Sequence, residues 1–241
     1  MMQKTFHRKM IACYCIAFVL CITVTRFGSH AVTVLVEHSP VAGRTCIAID
    51  AGHGGIDGGA VSVTGNPESQ INLQIAERLQ DLFHLMGYQT FMLRNTDTSL
   101  HTEGATISAQ KISDLKHRVK MVTDRDAALL ISIHQNTFSD KRYHGAQVFY
   151  RNDEESNALA VQLQKNFIRT VNPESNRKAK AAKGIYLMEH IPCPGILIEC
   201  GFLTNVREEA LLREASYQKQ LCSVIAATIT TGIEQKSSIP K

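Results

Sequence analysis

The chain reads as an α/β protein, a single domain with a mostly parallel, about six-stranded sheet flanked by helices on both faces. Three observations predict this. Short runs such as IAID, LLISIH and GILIEC, at residues 47–50, 129–134 and 195–200, are apolar on nearly every residue, as strands covered on both faces are. Longer segments with apolar residues three and four apart alternate with them. A chain of 241 residues with 44% apolar content can also bury one full core.

Taken in order, Lys4, Arg8 and Lys9 precede the uncharged stretch MIACYCIAFVLCITVT at 10–25. A basic flank followed by an apolar core is of export type, so residues 1–30 are expected to be a signal peptide or an N-terminal membrane anchor. Val19 and Leu20 before Cys21 disfavour lipid attachment, which wants a small residue there. Residues 31–44 read as a tether, 45–234 as the folded domain and 235–241 as a tail.

The first strand is expected at 45–50. Asn66 and Pro67 then open a helix whose apolar positions are Ile71, Ile75, Leu79, Leu82, Phe83 and Met86, and Gly87 stops it. A second strand follows at 88–93. Residues 95–112 read as a polar insertion without periodicity, and a helix from Ser113 presents Leu115, Val119 and Val122 on one face. Strands are expected at 129–134, 146–150, 184–189 and 195–200. The helices of the second half are expected at 154–170, 206–212 and 217–233.

Charge and cysteine exclude some classes of function. Four of the 26 basic residues lie in the first 30 positions, where there is no acid, which leaves 22 against 22 acidic residues in the rest. With no basic patch interleaved with aromatics, nucleic acid is not an expected partner. Cys46, Cys193, Cys200 and Cys222 show no metal-type spacing and read as small core residues rather than a disulfide framework.

In a parallel α/β sheet, ligands gather at the carboxyl ends of the strands. Three polar clusters fall at three such ends: Asp50-Ala-Gly-His53, His134-Gln-Asn136 and Glu199-Cys-Gly. The first belongs to IAIDAGHGGIDGGA, whose five glycines permit tight folding around a bound group. Two imidazoles and a carboxylate suit Zn2+, and a catalytic zinc keeps a fourth position open. His53 and His134 are the expected pair. Glu68, in the first turn of the helix fed by the glycine loop, is the expected third ligand, with Asp57 as its rival. Glu199 ends an apolar strand, where a carboxylate is costly without a task, and is expected to be the general base. The loop is neither GxGxxG nor a P-loop, so phosphate binding is not implied.

DAGHGGIDGG, the acid opening PESQINLQIA, DLKHR, LISIHQN, YHGAQVFY and IECGFLTN occur together and in this order. On these motifs the chain resembles the zinc-dependent N-acetylmuramoyl-L-alanine amidase family of the amidase-3 type, over about residues 45–234. The resemblance implies a peptidoglycan hydrolase with zinc on His53, Glu68 and His134 and a catalytic Glu199. It differs in Ala51, where the family has proline, in Ser69, where it commonly has lysine, and in a slightly longer loop at 62–67. RKAKAAKGIYLM and the export leader look most like the germination-specific branch, which acts on spore-cortex peptidoglycan. The resemblance and position together suggest Arg94 and Asn136 as substrate contacts; Arg118 in DLKHR is expected to be structural, on a helix face. The partners implied are glycan strands with stem peptides, and an accessory protein for activity or targeting. The function implied is extracytoplasmic. A wall-binding protein without turnover is the competing class, and the presence of all four site residues argues against it.

Overall fold

The computed structural model describes residues 46–237; the leader, the tether and the end of the tail lie outside the described residues. Six strands, β1 (Cys46–Ala51), β2 (Gln89–Met92), β3 (Leu129–Asn136), β4 (Gln147–Tyr150), β5 (Lys180–Ala181) and β6 (Gly195–Phe202), form one sheet in the order β2-β1-β3-β6-β4-β5. β2, β1, β3 and β6 are parallel neighbours. β4 pairs antiparallel with β6 and parallel with β5, so the last two strands run against the other four.

The helices are α1 (Glu68–Leu85), α2 (Ile107–Asp124), α3 (Glu154–Thr170), α4 (Tyr186–His190), α5 (Val206–Arg213) and α6 (Ala215–Ser237). Side chains alternate across a strand, which divides the core in two. Ile47, Ile49, Ile131, Ile133, Ile196 and Ile198 face one way, onto Ile71, Ile75, Leu79 and Phe83 of α1, Leu163 and Phe167 of α3 and Leu221 and Ile225 of α6. Ala48, Leu130 and Leu197 face the other way, onto Val122 of α2 and Leu187 and Met188 of α4. The apolar spacing of α1 thus does what it predicts, burying one stripe at intervals of four residues.

Three elements differ from expectation. GIYLME, expected as a strand, contains α4, a short helix that buries Leu187 and Met188 while Tyr186 stacks on His190 with ring centroids 3.9 Å apart. The fifth strand lies earlier, at Lys180–Ala181, opposite Phe149 and Tyr150. A lysine and an alanine on an edge strand carry no apolar signal. The helix expected from Ser113 starts at Ile107, where the Thr106 side chain accepts from the Ala109 N–H at 3.2 Å. Its apolar first turns point outward: Ile107 is 61% and Ile112 51% exposed, whereas Arg118 is buried. That inverted pattern hides the helix from a periodicity reading. Among the described residues, no helix is long and apolar enough to cross a membrane.

Candidate metal and catalytic site

β1 ends in the glycine loop, and two arginines hold that loop from below. Arg94, just past β2, is buried; its Nε donates to Ala51 O at 2.7 Å, and its Nη2 donates to Gly52 O at 2.9 Å and Ser69 O at 2.8 Å. Arg118 of α2 pairs with Asp50 and with Asp114 and donates through Nη2 to His53 O at 2.7 Å. Ser132 Oγ donates to the other oxygen of Asp50 at 2.6 Å. Burial pushes the Asp50 carboxyl up, but the Arg118 guanidinium and the Ser132 hydroxyl outweigh it and hold it below the usual carboxylate range. These bonds put Arg118 beneath the loop, buried on the inner face of α2.

The clamped loop presents His53 in a left-handed conformation at φ 62°. Non-glycine residues visit this region at a cost of about 1 kcal/mol or more, and the bonds from Arg118 hold the peptide there. His53 Nδ1 lies 3.0 Å from Asp57 Oδ2, and Lys111 Nζ lies 2.8 Å from the other Asp57 oxygen. With Nδ1 engaged by Asp57, Nε2 faces Glu68 Oε2 at 3.3 Å.

Glu68 opens α1 and is buried to 3% exposure. Its Oε1 accepts from the Gln135 N–H at 3.0 Å and from Asn72 Nδ2 at 3.2 Å, and its Oε2 accepts from the Ala60 N–H at 3.1 Å. His134 Nδ1 lies 3.0 Å from Oε1. Burial pushes the Glu68 carboxyl up, yet His134 and His53 hold it far below the carboxylate range. Burial lowers the His53 pKa, but Glu68 and Asp57 more than offset this and raise it to about 9.

His53, Glu68 and His134 each offer a ligand atom, all within 4.8 Å of one another, and together could hold a metal ion. Asp57, the rival carboxylate, stands behind the His53 ring instead and orients it, an arrangement common around metal-binding histidines. Two glycines make the cluster possible. A Cβ on Gly52 would meet the His134 ring at 2.1 Å, and one on Gly59, at φ 70°, would meet Glu68 Oε2 at 2.6 Å and His53 at 2.7 Å.

Glu199 is the register partner of His134 across β3 and β6. Its Oε2 is buried and has no hydrogen-bond partner among the described residues. Burial pushes its carboxyl up to about 7, opposed by His134 and supported by the charge of Glu68. An unpartnered carboxylate oxygen beside three convergent ligands fits a bound cation with a reacting group between them. Asn136, half-buried at the end of β3, accepts from the Thr137 N–H at 2.8 Å through its side-chain oxygen. The supports that the sequence hides are Lys111, which lay in the segment read as loop, and the Asp50–Ser132 contact. Asp114 and Arg118 four apart in DLKHR carried a helix ion-pair signal, but nothing pointed to Asp50 as the further partner.

The Amidase_3 family profile, N-acetylmuramoyl-L-alanine amidase, matches residues 47–234. The chain belongs to that family. The germination-specific N-acetylmuramoyl-L-alanine amidase of Bacillus subtilis is 37% identical over 204 residues, 84% of this chain and 85% of that one. The LytC amidase of the same organism is 28% identical over 190 residues, 78% of this chain and 35% of its own longer one. Among solved structures, the CwlD amidase of Clostridioides difficile, in complex with the GerS lipoprotein, superposes with a TM-score of 0.76 at 35% identity, covering 79% of this chain and 98% of that one. This amidase thus has the α/β architecture of its relatives, and its polar clusters meet at the carboxyl ends of β1, β3 and β6.

Proposed function

We propose that this amidase is a zinc hydrolase of spore-cortex peptidoglycan. It would cut the amide between the lactyl group of N-acetylmuramic acid and L-alanine of the stem peptide, and so prepare muramic acid for conversion to muramic δ-lactam. The observation that carries the reading is the meeting of His53, Glu68 and His134 beside the buried, unpartnered oxygen of Glu199. Two imidazoles and one carboxylate match the preference of zinc and leave a position open.

Zinc bound there would supply Lewis acidity, polarising a carbonyl and lowering the pKa of water toward about 7. Glu199 accepts a proton from the attacking water as its oxygen bonds to the carbonyl carbon. When the C–N bond breaks, the same carboxyl returns the proton to the alanine nitrogen, leaving a lactyl carboxylic acid and a free amine. A carboxyl that burial pushes above the usual carboxylate range suits both transfers. Asp57 fixes the His53 ring, and the Gln135 N–H, the Ala60 N–H and Asn72 fix Glu68. Arg94 directs its donors at backbone carbonyls, so we assign it to positioning the loop, and Asn136 to contacting the substrate.

Action on peptidoglycan implies export, which the leader would provide. The complex of the Clostridioides difficile relative with a lipoprotein supports an accessory protein for this chain as well. Glu199→Gln is expected to retain zinc and to free no alanine amine from purified glycan strands, whereas His53→Ala and His134→Ala lose the metal itself. Wild-type amine release by Glu199→Gln would overturn the assignment.

A further inference from the structure

The register continues past the catalytic glutamate. His134 on β3 pairs with Glu199 on β6, and Glu199 pairs with Gln147 on β4, so the three residues form one transverse row on one face of the sheet. Neighbouring strands lie about 4.8 Å apart, which puts Gln147 one strand beyond the base. A cavity of about 660 Å³ opens there, lined by Gln147 and by the segments that enter β4 and β5.

Its charge is unbalanced. Arg142, Arg177, Lys178 and Lys180 line it against only Asp140 and Glu174. Asp140 is taken up by Arg142 at 2.7 Å, while Lys178 and Lys180 are exposed and Arg177 is half-buried. Arg177 is fixed in place: its guanidinium lies 4.5 Å from the Phe202 ring centroid, Nε donates to His144 O at 3.0 Å and Nη1 donates to Gln147 Oε1 at 2.8 Å. A fixed guanidinium with two exposed ammonium groups beside it is suited to a carboxylate.

We propose that this cavity binds a free carboxylate of the stem peptide, two or three residues beyond the scissile amide, with Arg177, Lys178 and Lys180 as its anchor. The inference rests on the amidase reading. The N-acetylated glycan is neutral where its lactyl groups are amidated, so fixed negative charge on the substrate resides in the peptide. An extended peptide advances about 3.3 Å per residue, so two or three residues span from the base to the cavity. The cavity therefore selects on the peptide side of the cut.

The test uses the zinc-loaded protein and two matched substrates, muropeptides whose stem carboxylates are free or converted to amides. The free-acid form is expected to have a kcat/KM about ten-fold higher, through KM. In Lys178→Glu/Lys180→Glu that ratio falls to about one, and Lys120→Glu, on the exposed face of α2, keeps it. Because Arg177 also packs on Phe202, it is replaced by lysine as a separate arm, expected to weaken the preference in part. Calorimetric binding of the free stem peptide and its amide, without turnover, repeats the comparison, so an enzyme that cleaved neither substrate would fail as an amidase while the binding ratio still judged the cavity. Equal affinity for free and amidated peptide, or a preference unchanged in the double variant, overturns the proposal. A double variant that keeps the peptide preference but loses binding to an anionic wall polymer or a partner protein overturns it too, and reassigns the charge.

Discussion

Gly52 and His134 are 82 positions apart in sequence and touch in space, and the contact leaves no room for a methyl group. Gly52→Ala is expected to displace the imidazole and lose most bound metal while the protein stays folded, as read by metal content alongside circular dichroism. Asp50 makes a different prediction. Its pKa is depressed in the folded state, so its contribution to stability is complete above the unfolded value of about 3.9 and is lost as pH falls through the folded value. Asp50→Asn leaves Arg118 buried with one carboxylate fewer, which costs about 3–5 kcal/mol at neutral pH. In urea unfolding the deficit against the wild type should narrow below about pH 4, as the wild-type carboxyl takes up its proton. A deficit that stayed constant from pH 7 to pH 2 would mean that the charge of Asp50 contributes nothing.

At the scale of elements, α3 shows how a cap joins local to tertiary structure. Asp153 accepts from the Ser156 N–H at 2.9 Å and from its hydroxyl at 2.7 Å, and that hydroxyl accepts in turn from the Gly195 N–H at the start of β6. Asp153→Ala is expected to destabilise the protein by about 1–2 kcal/mol in thermal unfolding without changing metal content. Elements were legible in the sequence where burial and periodicity agree: β1, β3 and β6 have continuous apolar runs, and α1 and α3 have a single apolar stripe. The candidate ligands were legible because polar residues at the ends of such strands stand out. What escaped was whatever burial does not mark. β5 is only two residues, a lysine and an alanine, and α4 is too short to show a period. α2 buries an arginine where a helix ordinarily buries a leucine, and most of its partners, Asp50, Ala51 O and His53 O, are remote in sequence.

At the scale of the whole molecule, the folded domain can be tested apart from the segment expected to export it. The described residues, 46–237, form one compact unit by their own contacts. A chain beginning at Arg44 is expected to fold, take up zinc and free amine from purified glycan, provided that no partner is needed in vitro. Made inside the cell without the leader, it should leave the cortex unmodified, as muropeptide profiles would report. Normal δ-lactam content under those conditions would contradict the extracytoplasmic site of action.

Because β4 and β5 run against the other four strands, the segments entering them, 137–146 and 171–179, open on the same rim as those leaving β1, β2, β3 and β6. The connections at 125–128, 151–153 and 191–194 belong to the opposite rim. The chain is thereby divided into positions where a change of length is heard by the chemistry and positions where it is silent.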